Sequence, residues 1–459
     1  TELGQKLHFS NISSYSQYSE QVPLITYEEL KPYVKRLQKG ETNLIWPSKI
    51  RWFAKSSGTT NDKSKFIPVS YEAMQECHYR GGKDCVALYL QMNPESRFFS
   101  GKGLILGGSH NVSSLSAHCY CGDLSAVLIQ NISPLINMIR VPSKKIALMS
   151  EWESKLEAIC QSTMHSHVTN LSGVPSWFLV LIKLMLKKSG KTYLTEIWPD
   201  LEVFFHGGIS FDPYRTQYEE LIPSAKMHYV ETYNASEGFF AVQNEPTPGM
   251  LLMLDLGIFY EFIPLEEVNN EHPRTLPIWD VEKGKNYALV ITTNSGLWRY
   301  QTGDTVKIVS TSPVKIIISG RTKHFINAFG EELMVDNAEK GLAKACSETG
   351  AVVSNYTAPV YMSEKNRGRH QWLIEFEKMP PSLDNFASTL DCALQALNSD
   401  YEAKRYKGIA LDRLEVIVAR KGLFHDWLKE KGKLGGQHKV PRLSNQRENI
   451  EEMLSMNHE

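Results

Sequence analysis

Apolar positions along the chain fall into two periods. Short runs of β-type residues end in glycine, as in Leu104-Ile105-Leu106-Gly107-Gly108 and Val203-Phe204-Phe205-His206-Gly207-Gly208, and helical patterns such as Ser176 to Lys188 lie between them. Strands alternating with helices predict an α/β domain on a largely parallel sheet. From Met250 the strand-like runs crowd together, at Met250 to Leu256, Ile258 to Ile263, Tyr287 to Thr293, Thr305 to Val309 and Val314 to Ile318, which predicts antiparallel β structure. Ser319-Gly320-Arg321-Thr322 breaks that pattern. A second α/β region follows, with a helix near Val335 to Cys346, strands near Gln371 to Glu377 and Leu414 to Val418, and a polar helical tail from Asn445. The predicted class is mixed α/β (α+β), with domains over residues 1–319 and 320–459 divided at Gly320, since glycine tolerates the backbone changes of a hinge. The first fifty or so residues carry Tyr27-Glu28-Glu29-Leu30-Lys31-Pro32-Tyr33-Val34, an amphipathic helical pattern with Pro32 near its start or at a bend, and read as structural.

Composition narrows the function classes. The 459 residues, 42% of them hydrophobic, suffice for two or three domains with a sizeable core. Fifty basic against fifty-one acidic side chains leave a net charge of -1, so no long-range field argues for nucleic acid or an anionic membrane. Seven scattered cysteines do not resemble a disulfide framework and point to a reducing cytoplasm. Cys119 and Cys121 beside His118 suggest a metal, but Cys85 and Cys160 lie at no recognised ligand spacing, and buried soft side chains are the favoured reading. The apolar run Trp177 to Leu186 is about half the ~20 residues of a membrane span and is interrupted by Lys183, so it reads as a core helix. No secretion leader is visible, and Thr1 in place of Met leaves open a native start upstream.

Four stretches can carry chemistry. Ser56-Ser57-Gly58-Thr59-Thr60-Asn61-Asp62-Lys63-Ser64-Lys65 offers backbone amides, hydroxyls and lysines to an anion, without the spacing of a Walker-type loop; alone, it could equally be a polar turn. In Tyr229 to Gly238, Tyr233 can stack on a purine and Glu237 can bind magnesium, or the tyrosine is simply packed and the glutamate solvated. In Trp298 to Asp304, an aspartate after Gly303 can accept from both ribose hydroxyls, or it closes an ordinary turn. In Leu434 to Arg442, two glycines allow a flexible loop that carries Lys439 to an oxygen where charge develops, or the loop is exposed and solvated.

The order of these four elements, with a Gly-Arg hinge before the last, resembles the adenylate-forming superfamily. Within it, the chain resembles the Gretchen Hagen (auxin-responsive promoter) family of acyl-acid amido synthetases, in the form of one of its bacterial members. The resemblance runs from Val22-Pro23-Leu24-Ile25-Thr26-Tyr27 through Ser56-Ser57-Gly58-Thr59-Thr60, Thr169 to Trp177, Phe205-His206-Gly207-Gly208 and Tyr300-Gln301-Thr302-Gly303-Asp304 to Gly436-Gln437-His438-Lys439-Val440-Pro441-Arg442, nearly the whole chain. It implies a large N-terminal domain, with α/β sheets and a β-rich part, that binds ATP and acid, and a small mobile C-terminal α/β domain whose rotation brings Lys439 in. It also implies a reaction in which a carboxylic acid and ATP give an acyl-adenylate and pyrophosphate, and an amine, typically of an amino acid, then displaces AMP. CoA as acceptor is the alternative, and a nucleotide-binding protein without catalysis is another.

Carried over by position, the resemblance assigns the phosphates to Ser56, Ser57, Gly58, Thr59, Thr60 and Lys65. It assigns the adenine to Gly207, Gly208 and Tyr233, with Asn234 and Ser236 in the same cofactor-binding element. Glu237 would hold Mg2+, Asp304 with Arg321 the ribose, and Lys439 would approach the α-phosphate and the acid. The acid pocket would lie between Gly101 and Phe211, with Trp177, Phe178 and His110 as lining or core. A monomer or weak dimer without nucleic acid or membrane partners is implied. Two departures stand out: Thr60-Asn61-Asp62 replaces the plant Ser and Gly, placing Asp62 where polyphosphate would repel it unless it faces solvent or magnesium, and Asn234-Ala235 separates Tyr233 from Ser-Glu.

Overall fold

The computed structural model describes residues 1–56, 65–107, 113–116, 119–208, 211–322, 326, 331, 333–362, 368–398, 401–402, 405, 411–431, 440–444 and 446–457. They form two compact units: the first comprises the described residues of Thr1–Thr302 and Val306–Ile317; the second comprises Gly303–Thr305 and the described residues from 318 onward.

In the first unit, Lys102–Leu106, Val168–Gly173, Val203–Gly207 and His228–Ala235 pair side by side in parallel, with Arg140–Val141 on the outer side of Lys102–Leu106. Parallel strands are buried on both faces, which explains the unbroken Val203-Phe204-Phe205-His206, all buried. The expected antiparallel part is present but is not separate. Through Gly238–Val242 and Met250–Leu252 it continues the same twelve-stranded sheet to Val314–Arg321, Tyr300–Thr311, Asn286–Thr293, Ile258–Pro264 and Leu276–Pro277. The strand expected to end at Ile318 runs on to Arg321, with Gly320 at φ +153°, and the second unit takes up the chain from Ile318.

The helix expected at Ser176 to Lys188 spans Pro175–Ser189, opened by Pro175 in its first turn and closed by Gly190. It packs with Trp152–Thr163 and Asp212–Leu221 over the sheet, burying Leu104, Leu171, Phe178, Ile182, Phe204 and Tyr218. The amphipathic helix Tyr27–Gln38 contains Pro32, and Thr26 N–H donates to the Glu29 carboxylate at 2.8 Å to close its first turn. A smaller sheet joins Lys65–Val69, Trp52–Ser56, Cys119–Gly122 and Ser113–Ser116. Among the described residues, no helix is long and apolar enough to cross a membrane.

The second unit has a sheet of Glu415–Ala419, Gly368–Lys378, Val352–Met362 and Leu443–Ser444, packed on Val335–Thr349 and Leu383–Leu397. Tyr356 stacks on Trp372 at 5.4 Å in its core. The polar tail forms the helix Glu448–Asn457.

Two predictions follow from this packing. Phe178 is fully buried and meets Phe204 edge-on at 5.1 Å, so Phe178→Ala should cost about 3–5 kcal/mol in urea unfolding; an unchanged midpoint would contradict its core role. Burial pulls the imidazoles of His78 and His206 down to about 4 and about 3. The unfolded chain therefore binds more protons below its histidine pKa of ~6.5, and each ring should remove about 2 kcal/mol of stability between pH 7 and pH 5. Urea unfolding that is flat across that window would show that the rings are not held neutral.

Candidate active site

Four parallel strands finish at one edge of the large sheet. Leu106 pairs with Gly173, Gly173 with His206, and Gly207 with Thr232. From Lys102–Leu106 the chain goes first to Arg140–Val141 on one side, then returns to Val168–Gly173 on the other. Such a reversal opens a crevice beyond the carboxyl ends of the strands, the usual binding place in open α/β sheets.

The structure brings Gly207, Gly208, Tyr233, Asn234, Ser236 and Glu237 to this edge. A Cβ on Gly207 would lie 2.3 Å from Thr232 O, so only glycine lets the two backbones approach this closely. Gly208 follows at φ +79°. The Thr232 hydroxyl donates to His206 O at 3.1 Å, pinning one strand end to the other. Tyr233 is buried, its ring edge-on to Phe240 at 4.8 Å, so it has the packing partner that the plainer sequence reading foresaw. His228–Ala235 then turns into Gly238–Val242 through Ser236-Glu237 alone, since Ala235 pairs with Gly238. Ser236 is buried, and its Oγ has no hydrogen-bond partner among the described residues. A buried orphan hydroxyl costs free energy, which a ligand oxygen at this turn would recover.

The phosphate-loop candidate is seen by its two arms. Trp52–Ser56 and Lys65–Val69 pair antiparallel with Ser56 opposite Lys65, so residues 57–64 connect the tips of a hairpin. Lys65 Nζ lies 5.8 Å from the centroid of the Tyr27 ring, and Tyr27 Oη accepts the Phe66 N–H at 2.8 Å. Ser57, Gly58, Thr59 and Thr60 lie outside the described residues, as do His110 and Lys439.

In the second unit, Asp304 and Arg321 come together: Arg321 Nε meets Asp304 Oδ1 at 2.9 Å, with the carboxylate mostly buried. The backbone N–H of Thr322 donates to Gly303 O at 2.9 Å, holding the two strand segments side by side.

Two buried groups near the edge carried no assigned role in the sequence. His206 is buried in an aromatic cluster, stacked on Phe211 at 4.2 Å, with Nδ1 lacking a partner among the described residues. Lys155 is fully buried, and its Nζ donates to Gly107 O at 3.1 Å, at the carboxyl end of Lys102–Leu106. Burial pulls its ammonium down to about 8, while Asp123 opposes that shift. His206 stands in the Phe-His-Gly-Gly motif with no role assigned to it, and Lys155 stands in no motif; only the fold shows that either is dry. Phe178, a candidate for the acid pocket, belongs to the core, and Trp177 packs partly buried against it. Cys119 is buried and its thiol donates to Leu37 O at 3.3 Å, a packed soft side chain.

The geometry agrees with what comparison finds. Residues 1–227 match the GH3 family N-terminal domain, residues 251–321 its central domain and residues 336–448 its C-terminal domain. Indole-3-acetic acid-amido synthetase GH3.3 of Arabidopsis thaliana is 23% identical over 96% of this chain and 86% of its own length. Jasmonoyl--L-amino acid synthetase JAR6 of Nicotiana attenuata is 24% identical over 92% of this chain and 84% of its own. The solved GH3.15 acyl acid amido synthetase shares the fold with a TM-score of 0.77 at 18% identity, covering 98% of this chain and 89% of that one. With all three family domains present in order along its length, the chain belongs to the GH3 family.

Proposed function

We propose that this chain is an ATP-dependent acyl-acid amido synthetase. The observation that carries the reading is the carboxyl edge where Gly207, Tyr233 and the Ser236-Glu237 turn converge, in a chain that matches acid-amido synthetases over nearly all of its length. A carboxylate oxygen attacks the α-phosphorus of ATP and pyrophosphate leaves. The nitrogen of an amine, that of an amino acid, then attacks the acyl carbon; AMP leaves, and the nitrogen gives up a proton. The first step exchanges a poor leaving group, oxide, for a good one.

The residues divide the work by chemistry. Backbone amides and hydroxyls of Ser56, Ser57, Gly58, Thr59 and Thr60, with the Lys65 ammonium, bind phosphate oxygens. Gly207 and Gly208 leave room for the adenine, and Tyr233, Asn234 and Ser236 flank it. Asp304, oriented by Arg321, accepts from the ribose hydroxyls. Glu237 would hold Mg2+, which supplies positive charge to the phosphates when bound. Lys439 places a cation where negative charge develops on the α-phosphate and acid. We assign the nucleotide- and acid-binding role to residues 1–319 and the lysine-bearing role to residues 320–459. In this reading the enzyme is cytoplasmic, a monomer or weak dimer, and acts on small molecules, not on nucleic acid or membrane; its net charge of -1 supports that view.

The test is pyrophosphate release with a panel of carboxylic acids, followed by product analysis with amino acids or CoA. Acid-dependent release and an amide are expected. No release with any acid would leave a nucleotide-binding protein, and a thioester without amide would make the chain a CoA ligase. Lys439→Ala should slow adenylation by about 10²-fold or more while ATP binding stays near wild type; an unchanged adenylation rate removes the lysine from its assigned role.

A further inference from the structure

The chain just beyond Lys439 is held from its first residue. Val440 is buried among Leu373, Trp427, Ile450 and Met453. Pro441 O accepts the Thr357 hydroxyl at 2.6 Å, Arg442 O accepts the Ala358 N–H at 2.8 Å, and Leu443–Ser444 pairs in parallel with Ala358 and Pro359. Strands commonly run to about five or six residues, so a pair of two is a weak anchor by itself.

The stronger hold comes from a side chain. Arg442, three residues after Lys439, lays its guanidinium over the Tyr356 ring, with Cζ 4.7 Å from the centroid. Nη1 donates to the side-chain oxygen of Asn355 and to Tyr356 O, the latter at 3.0 Å. The same ring stacks on Trp372 at 5.4 Å. Its hydroxyl donates to the Glu339 carboxylate at 2.8 Å, and that carboxylate lies 3.8 Å from Arg442 Nε. Glu339 belongs to the helix Val335–Thr349, Tyr356 to the strand Val352–Met362 and Trp372 to Gly368–Lys378. One guanidinium thus seats the segment after Lys439 on a cluster drawn from three elements of the second unit.

The residue type suits that seat. A planar guanidinium can cover a ring and still point donors sideways, whereas an ammonium on a flexible stem does not do both at once. The Arg442 side chain is only 21% exposed, so the end of this basic stretch is not the solvated loop of the plainer sequence reading.

We infer that Arg442 is a positioning residue for the proposed reaction: seated on Tyr356, it fixes the backbone just beyond Lys439 and so restricts where the lysine ammonium can be delivered. The inference rests on the reading of Lys439 as the cation that acts during adenylation. Misplacing a catalytic group by about 1 Å can cost on the order of 10²-fold in rate, so loss of the seat acts on the chemical step and leaves ATP binding intact.

The experiment measures ATP affinity and the single-turnover rate of acid-dependent pyrophosphate release, per folded enzyme. Arg442→Lys, which keeps the charge and loses the planar seat, should slow release about tenfold while the Kd for ATP stays within about twofold of wild type. Tyr356→Leu, which removes the ring, should slow it likewise, whereas Tyr356→Phe, which keeps the ring under the guanidinium, should retain most of the rate. In a Lys439→Ala background, Arg442→Lys should add nothing. An unchanged release rate in Arg442→Lys, equal losses in Tyr356→Phe and Tyr356→Leu, or slowing that adds to that of Lys439→Ala would each overturn the proposal; the last two outcomes are those of a merely structural role. If neither Arg442→Lys nor Tyr356→Leu folds, Asn355→Ala, which withdraws one acceptor from the guanidinium, decides: slower release supports the proposal and a wild-type rate overturns it. Wild-type release in Lys439→Ala alone would instead fail the parent reading.

Discussion

The approach of Gly207 to Thr232 sets the geometry on which the rest of the edge depends. With a Cβ of Gly207 placed 2.3 Å from Thr232 O, the parallel pairing of Val203–Gly207 with His228–Ala235 holds to its last residue only because no side chain intervenes. Had the strands separated earlier, Tyr233 and the turn behind it would sit elsewhere, and the Thr232–His206 bond would be lost. A parallel sheet buried on both faces offers chemistry little but its carboxyl edge. The main strand ends of this edge therefore share their small residues: Gly107, Gly173 and Gly207 bring backbone, rather than side chain, to the crevice.

A second constraint anchors the other end of the same unit. Arg299 adopts φ +45°, a backbone conformation that an L side chain seldom takes, and its guanidinium is buried against Glu261 at 3.0 Å. It also donates to Val22 O at 2.7 Å and to the Thr275 hydroxyl at 2.7 Å. A buried ion pair repays its desolvation only when its remaining donors are used, and here they tie the segment around Val22 to the start of Tyr300–Thr311. The stretch Trp298 to Asp304, singled out for its aspartate, thus holds in Arg299 a residue whose work is structural.

Much of this was legible in the sequence, for physical reasons. Val203-Phe204-Phe205 reads as a strand because both faces are buried, and Ser176 to Lys188 reads as a helix because its apolar residues recur at helical spacing. The merging of the α/β and antiparallel parts into one sheet was not legible, since strand pairing is non-local and Met250–Leu252 meets Val314–Arg321 from far along the chain. The boundary placed at Gly320 lies within two residues of Ile318, where the second unit takes up the chain, while the strand itself runs on to Arg321. For the site, the order of motifs singled out Gly207, Tyr233 and Glu237, which the structure gathers at one strand edge, and Asp304 and Arg321, which it pairs. It gave no sign that His78, Lys155 or the His206 of its own Phe-His-Gly-Gly motif is dry, because a histidine or lysine shows its burial only once tertiary packing removes its water.

Those three missed groups share an electrostatic logic. Two buried imidazoles are driven towards neutrality, and the buried ammonium of Lys155 is pulled down towards about 8. An ammonium that titrates near 8 still carries its charge at neutral pH, whereas the two imidazoles do not, so of these three groups Lys155 alone remains a cation.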